Sequence, residues 1–194
     1  MRPTSIVNVM GLSPKQIEKA EQVRQDILHA AAEIVIERGV QSLTLAAVAR
    51  RARVSKGGLL HHFACKADLI RILVETLIAD FETALDACAK GDPEPYGRRI
   101  RAYVRANLAY SVNNRKIAIA LFPLSFSEPE LVTLLRTSCD RWLNSPDEID
   151  SVQSYVIRLA TDGFWMADTM NIHSENSNLR EKALEHLVKM TYPA

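Results

Sequence analysis

The chain has 194 residues and a formal net charge of +1, and its 47% hydrophobic and 24% charged residues are ordinary globular proportions. No apolar run approaches the roughly 20 residues of a membrane span, and the N-terminus lacks the apolar core of a secretory signal. Three cysteines far apart argue against a disulfide framework, so we expect a soluble cytoplasmic protein.

The first helix is marked by its start and stop signals. The twelve residues before it have no usable period, and we expect them to form a flexible arm. Ser13, Pro14 and Gln16 then stand as N-cap, N1 and N3 of a capping box. Apolar residues keep the helical period up to Arg38, and Gly39 supplies a C-cap. These signals predict a helix from Pro14 to Arg38.

Two short helices joined by a tight turn are predicted next. Thr44 stands ahead of the first helix as its N-cap, and Ser55 stands ahead of the second. In the second helix, the period places Leu59, Leu60 and Phe63 on a common side. Two short helices with so short a connection are typical of a helix-turn-helix.

This region carries a local positive charge. Between residues 44 and 71, Asp68 is the only anion. The cations there are Arg50, Arg51, Arg53, Lys56, Lys66 and Arg71. A basic face on a helix-turn-helix indicates a DNA-binding element, although the solvated face of an ordinary helical hairpin would also be charged.

A pair of glycines favours DNA binding over the hairpin. Gly57 and Gly58 lie in the first turn of the second helix, where each costs about 1 kcal/mol relative to alanine. Glycine there lets the helix backbone approach a groove closely. We predict that Lys56 and Gly57 read base edges. The other predicted DNA-binding residues approach or contact phosphates: Thr44, Arg53, Ser55, Gly58, His61, His62 and Lys66.

The segment TLAAVARRARVSKGGLLHHFACKADLI resembles the N-terminal signature of the TetR/AcrR family of one-component transcriptional regulators. The match covers residues 25–77 and is most specific at Val54–Gly57. Three residues depart from the family pattern: Arg53 stands where glycine is usual, Leu60 replaces a tyrosine that often contacts phosphate, and Cys65 replaces a Ser/Thr cap. The resemblance implies a dimeric regulator of palindromic DNA that a small molecule switches.

Helical patterns continue to the end of the chain and predict an all-α fold. The helix from Arg98 carries four arginines, mostly on faces opposite its apolar residues. The other predicted helices are Lys66 to about Ala89, Ile117–Phe122, Glu128–Leu143, Pro146 to about Asn171, and Leu179–Met190. We assign residues 1–12 to the arm, 13–65 to a three-helix DNA-binding domain, and 66–194 to an effector-binding and dimerisation domain.

The helix predicted from Pro146 has two apolar faces, so it should be covered on more than one side. One face is a stripe of small residues, which would let two such helices approach closely. We predict that this helix and the last one form a four-helix dimer bundle with their symmetry mates. The predicted interface residues are Val152, Val156, Ala160, Gly163, Ala167, Leu184 and Leu187.

Aromatic residues recur along the body helices and could converge on a small-molecule cavity. The family resemblance implies such a cavity, whereas the sequence itself does not separate a pocket from a core. The mostly apolar candidates suggest an apolar or aromatic effector. The candidate residues are Tyr103, Asn107, Tyr110, Phe122, Phe126, Phe164 and Trp165.

Other kinds of site have less support. His61, His62 and Cys65 could be read as metal ligands, but adjacent histidines on a helix point about 100° apart and no second cluster completes a site. No catalytic triad, phosphate loop or carboxylate pair stands out, so we expect neither enzyme nor cofactor. A helical enzyme with an unrecognised site and an interaction module without DNA binding remain as alternatives. Neither explains the glycine pair and the concentration of positive charge.

Overall fold

The computed structural model describes residues 13–109, 112–126, 128–143, 149, 151–170, 172 and 177–193. These residues form nine α-helices and two 3-10 segments and contain no strand, which confirms the all-α prediction. No helix among them is both long and apolar enough to cross a bilayer. The chain divides into two compact units, Met1–Leu73 and Val74–Ala194.

The first unit holds three complete helices and the start of a fourth. They are α1 (Pro14–Arg38), α2 (Leu45–Arg51), α3 (Lys56–His62) and the first residues of α4 (Lys66–Lys90), with a 3-10 turn at Val40–Ser42. The capping signals of α1 are confirmed. The Ser13 N–H donates to Gln16 Oε1 at 2.8 Å, and Gly39, at φ +75°, donates its N–H to the Val35 carbonyl at 3.0 Å.

The core of the first unit forms where α1 packs on α2 and α2 packs on α3. Leu59 of α3 and Phe63, the C-cap of α3, belong to this core and are 0% and 1% exposed. Leu60 is 40% exposed, so the prediction that it shares their side is wrong. Leu59 and Phe63 are four residues apart and stack on one helix face, whereas Leu60 is rotated about 100° from Leu59.

The second unit contains the rest of α4 and five further helices. They are α5 (Arg98–Ala109), α6 (Val112–Leu121), α7 (Pro129–Leu143), α8 (Ser151–Thr169) and α9 (Ser177–Lys189). A 3-10 segment, Phe122–Phe126, follows α6 and contains Pro123. The α6 helix begins five residues before the predicted start at Ile117. The helix start predicted at Pro146 lies outside the described residues.

A buried arginine joins distant parts of the second unit. Arg101 is fully buried and donates hydrogen bonds to the carboxylate of Asp92 and, at 3.0 Å, to the carbonyl of Thr191. Gly97 lies beside this cluster at φ +64°, and a Cβ there would be 2.0 Å from the Thr191 carbonyl oxygen. The loop before α5 and the turn after α9 therefore meet around Arg101, in a contact that requires glycine at position 97.

Candidate functional site

Hydrogen bonds to side-chain oxygens begin both short helices of the first unit. The Thr44 Oγ1 accepts from the Ala47 N–H at 3.2 Å, and the Ser55 Oγ accepts from the Gly58 N–H at 3.0 Å. Each bond satisfies a backbone donor that has no partner within its helix. The two predicted N-caps are confirmed.

The turn between α2 and α3 reverses the chain through Arg53. Its φ of 55° is the one positive φ among the described residues other than glycine. The Val54 N–H donates to the Ala49 carbonyl at 3.0 Å and the Arg53 N–H donates to the Arg50 carbonyl at 3.3 Å, as in a Schellman C-cap. This conformation explains why glycine is usual at the position, since an L side chain there costs about 1 kcal/mol.

The exposed side of α3 carries the residues predicted to read DNA. Ser55, Lys56, Gly57 and His61 are exposed, and we call these four residues the reading surface. A Cβ at Gly57 would meet nothing within 4 Å, whereas a Cβ at Gly58 would lie 3.2 Å from the Ser55 Oγ. Gly57 therefore leaves open space on the surface, while Gly58 leaves room for the N-cap hydroxyl.

The two histidines of α3 differ in their surroundings. Their ring centroids are 5.4 Å apart in an edge-on arrangement, and His62 is half-buried whereas His61 is exposed. Burial lowers the pKa of His62 below its ordinary value, with further lowering from His61 and Arg24. A neutral imidazole still offers one N–H to a phosphate. In the described part of the chain, no three His, Cys, Asp or Glu side chains gather as metal ligands would.

The cations of the first unit fall into tethered and exposed groups. Arg51 pairs with Glu37 at 2.6 Å and with Glu33 at 3.4 Å, and its hydrogen bond lowers the pKa of Glu37. The Lys66 ammonium donates to the Val40 carbonyl at 3.2 Å. Arg50, Arg53 and Lys56 are exposed, as is the uncharged Thr44. The positive charge available to a partner therefore comes mainly from the exposed cations, and Lys66 keeps two further N–H donors.

The second unit contains a cavity of about 420 Å³ lined by residues of α4 to α8 and the 3-10 segment after α6. Four candidate effector residues line it: Tyr103, Asn107, Phe122 and Trp165. The predicted residue Phe164 is not among the lining residues, and the Arg180 guanidinium lies 5.8 Å from its ring centroid. Phe126 belongs to the 3-10 segment, and Tyr110 lies outside the described residues.

Several lining residues were not among the sequence candidates. They include Val74, Leu77, Ile78 and Phe81 of α4, Leu131, Leu135, Cys139 and Trp142 of α7, and Asp162 and Met166 of α8. The helical period placed many of them on apolar faces but does not reveal which faces meet at a cavity. The α8 helix contains two aspartates, Asp162 and Asp168, and only Asp162 lines the cavity, so the sequence did not single it out.

The polar groups of the cavity centre on Tyr103. Its hydroxyl donates to Asp162 Oδ1 at 2.6 Å, and the Asn107 side chain donates to its carbonyl at 3.0 Å. Burial, together with the Asp162 charge, raises the pKa of Tyr103. Burial also raises the pKa of the Cys139 thiol, with a smaller contribution from Asp162. Both groups are therefore protonated at neutral pH, and Asp162 accepts from the phenol.

The α8 helix also presents an exposed apolar face. Val152, Tyr155, Val156 and Leu159 are 69%, 55%, 48% and 49% exposed. Of the other predicted interface residues, Gly163 is exposed and Ala160 and Ala167 are half-buried. Leu184 and Leu187 of α9 are each 8% exposed, so their side chains lie in the core of a single subunit and offer little area to a partner.

The chain matches two profiles of one protein family. Residues 27–72 match the profile described as bacterial regulatory proteins, tetR family, and residues 97–192 match the tetracyclin repressor-like C-terminal domain. The transcriptional regulator AcrR of Shigella flexneri is 27% identical over 149 residues, which cover 75% of this chain and 69% of AcrR. The regulator BetI of Escherichia coli O127:H6 is 25% identical over 186 residues, covering 88% of this chain and 94% of BetI.

Solved structures share the fold. A TetR family member from Streptomyces coelicolor A3 aligns with a TM-score of 0.67 and 22% identity over 89% of this chain and 99% of that one. The multidrug binding protein EbrR complexed with malachite green aligns with a TM-score of 0.62 and 21% identity, over 88% and 98% of the two chains. Given the two profile matches, the regulators among its relatives and this shared helical fold, the chain belongs to the TetR family of transcriptional regulators and is not an enzyme.

Proposed function

We propose that the protein is a ligand-responsive repressor that binds a palindromic operator as a homodimer. The main support for this proposal is the placement of α3. Leu59 and Phe63 pack in the core of the first unit, which leaves Lys56 and Gly57 exposed at the N-terminal end of the helix. In this proposal residues 13–65 form the DNA-binding domain, and residues 66–194 bind the effector and the second subunit.

We assign each predicted residue a role on DNA from its exposure and from the hydrogen-bond donors of its side chain. Lys56 donates to guanine O6 and N7 in the major groove, while Gly57 lets the helix backbone approach the bases. Phosphates are contacted by Thr44, Arg53, Ser55, His61, His62 and Lys66. Lys66 donates to a phosphate through the two ammonium N–H groups that do not bond to the Val40 carbonyl. Gly58 acts indirectly, through the N-cap of α3.

The exposed apolar face of α8 supports the dimer. Side chains such as Val152 and Val156 form part of a contiguous apolar patch on one helix, and such patches mark interaction sites. In the proposed dimer, α8 and α9 pack on their symmetry mates through a self-complementary interface. A two-fold dimer presents two copies of α3 to half-sites about one helical turn apart.

The cavity of the second unit supports binding of an apolar or aromatic effector, since most of its lining side chains are apolar. Two solved relatives of the fold are complexes of EbrR with malachite green and with ethidium. The α4 helix contributes Val74, Leu77, Ile78 and Phe81 to the cavity, and its residues before Val74 belong to the first unit. An effector that prefers one arrangement of α4 would shift the spacing of the two DNA-reading helices.

Selection of duplexes from a random library by the purified protein tests DNA recognition. We expect a palindromic consensus whose affinity falls about tenfold to a hundredfold in Lys56→Ala, with a much smaller change on random duplex DNA. Lys19→Ala removes an exposed cation of α1 and is the matched control. Equal losses on selected and random DNA would show that Lys56 contacts only phosphates, and the absence of any consensus would refute the proposal.

Sedimentation tests the dimer. Val156→Glu places a charge on the exposed face of α8, and we expect it to raise the dimer dissociation constant at least tenfold. Val132→Glu is the matched control, because Val132 is a 37% exposed valine of α7 outside the proposed interface. A protein that sediments as a monomer at micromolar concentration, or equal effects of the two substitutions, would contradict the proposed interface.

Transcription from the promoter adjoining the chain's own gene tests the repressor role. We expect transcript to fall when the protein is added and to return when an effector is supplied. A rise in transcript when the protein is added would show that the protein is an activator and contradict the repressor role.

A further inference from the structure

Asp162 is the one acidic side chain among the residues that line the described cavity. Most of the wall around it is apolar, with Tyr103, Asn107 and Cys139 as the other polar members. A carboxylate in such surroundings loses part of its hydration and needs compensation from a hydrogen bond or a positive charge.

The described structure gives Asp162 a hydrogen bond but no cation. The Tyr103 hydroxyl, a neutral donor, lies 2.6 Å from Asp162 Oδ1. Two other aspartates of the second unit are neutralised. Asp92 pairs with two arginines, and Asp168 pairs with Arg115 at 2.9 Å and with Arg180 at 2.6 Å. Asp162 thus differs from aspartates with a structural role.

The arginine nearest in sequence to Asp162 on the same helix forms a ring contact and no salt bridge with Asp162. Arg158 lies one turn before Asp162 on α8, and its guanidinium stacks 4.8 Å from the ring centroid of Tyr155. Tyr155 does not line the cavity. No described arginine or lysine forms a salt bridge with Asp162, although the Arg158 charge acts on the neighbouring Cys139 thiol.

Aromatic rings surround the same space. Phe81 contacts Tyr103 edge-on at 5.7 Å and Trp142 at 4.7 Å, and Phe122 contacts Trp165 at 6.1 Å. Ring faces attract cations, and a carboxylate attracts them more strongly where water is excluded. Because the Tyr103 ring is held between Phe81 and Asp162, it fixes the carboxylate while leaving its remaining lone pairs to a ligand.

We propose that the effector is an aromatic cation, bound with its positive charge at Asp162 and its rings against Trp142 and Trp165. This inference rests on the proposed effector site and narrows the effector from apolar or aromatic compounds to positively charged ones. Tyr103 is a positioning residue that orients the carboxylate. A cavity of about 420 Å³ accommodates a fused two- or three-ring compound.

The test compares two ligands of nearly the same shape, 1-methylquinolinium, a permanent cation, and 1-methylnaphthalene, its neutral counterpart. Both tryptophans of the chain, Trp142 and Trp165, line the cavity, so quenching of intrinsic fluorescence in the full-length protein reports occupancy there. Calorimetric titration supplies an independent dissociation constant. We expect the cation to bind at least tenfold more tightly than the neutral compound.

Two substitutions locate the source of the preference. Asp162→Asn keeps the shape and the acceptor for Tyr103, and we expect it to weaken 1-methylquinolinium at least tenfold while changing 1-methylnaphthalene less than twofold. Asp140→Asn removes the same charge from an exposed position of α7 that does not line the cavity, and we expect it to change neither affinity. Retained binding of the neutral compound shows that the variant is folded.

The outcomes separate this inference from the proposed function. Equal affinities for the two compounds, or a preference that survives in Asp162→Asn, would overturn the cationic effector while leaving an effector cavity in place. No binding of either compound up to its solubility limit would overturn the cavity as an effector site as well. If the protein selected no DNA sequence, the proposed repressor function would be refuted, but the measured preference for the cation would still stand.

Discussion

The contacts that hold the helix-turn-helix join residues close together in the sequence, whereas those that hold the second unit join residues far apart. In the helix-turn-helix, the bonds that cap α2 and α3 and close the turn at Arg53 join residues three to five positions apart. In the second unit, Tyr103 meets Asp162 across 59 positions and Arg101 meets Thr191 across 90. Local bonds can be altered one at a time, whereas the distant ones depend on the packing of several helices. The following substitutions test that difference.

The largest effect is expected at Arg101. Arg101→Leu would leave the Asp92 carboxylate, 5% exposed, without its buried partner, and we expect the free energy of unfolding to fall by about 3–5 kcal/mol. Urea denaturation followed by circular dichroism measures the loss. Arg105→Leu removes the other arginine paired with Asp92, whose side chain is 40% exposed, and should cost about 1 kcal/mol or less. Equal losses would show that burial of Arg101 does not set its contribution.

The next effect is expected in the core of the first unit. Leu59→Ala should reduce the free energy of unfolding by about 3 kcal/mol, because the fully buried side chain leaves a cavity. Leu60→Ala, one position further along α3, should change it by less than about 0.5 kcal/mol. The same denaturation experiment compares them. Similar losses would mean that the exposed face of α3 is covered in solution.

A stabilising substitution is expected at the turn. Arg53→Gly should raise the free energy of unfolding by about 1 kcal/mol, because glycine adopts a φ of 55° without the steric strain of a side chain. Arg50→Gly makes the same chemical change inside α2 and should instead cost about 1 kcal/mol. A loss of stability in Arg53→Gly would indicate that the Arg53 side chain makes stabilising contacts that outweigh the strain.

The smallest effect is a pH dependence at His62. Because its pKa in the folded protein is lowered from 6.5, the unfolded chain takes up the proton more readily. The stability that His62 contributes is therefore complete above pH 6.5 and is lost as pH falls through 6.5 toward the folded pKa. Urea midpoints measured between pH 7.5 and 5.5 should fall less steeply in His62→Gln than in the wild type. Identical slopes would assign the pH dependence to other groups.

Capping residues determined much of the first unit by themselves. Ser13, Gly39, Thr44 and Ser55 mark helix ends where the structure has them, because an N-cap oxygen or a C-cap glycine acts on backbone groups a few residues away. The exposure of the reading surface could be predicted for the same reason. Ser55 caps α3, and Lys56, Gly57 and His61 lie on this seven-residue helix, whose start is marked in the sequence.

Packing between distant segments decided the rest. The sequence predicted that the arginines of α5 lie mostly on faces opposite its apolar residues. Arg101 is instead fully buried, because the Asp92 loop and the Thr191 turn supply its hydrogen-bond partners. Leu60 and Leu59 are the same residue type, and only the packing of α3 separates exposed from buried. The structure makes Asp162 a candidate ligand contact, because Tyr103 of α5 donates to it within the cavity. Periodicity assigns each residue to a face of its own helix, but which faces meet depends on tertiary contacts that no single helix encodes.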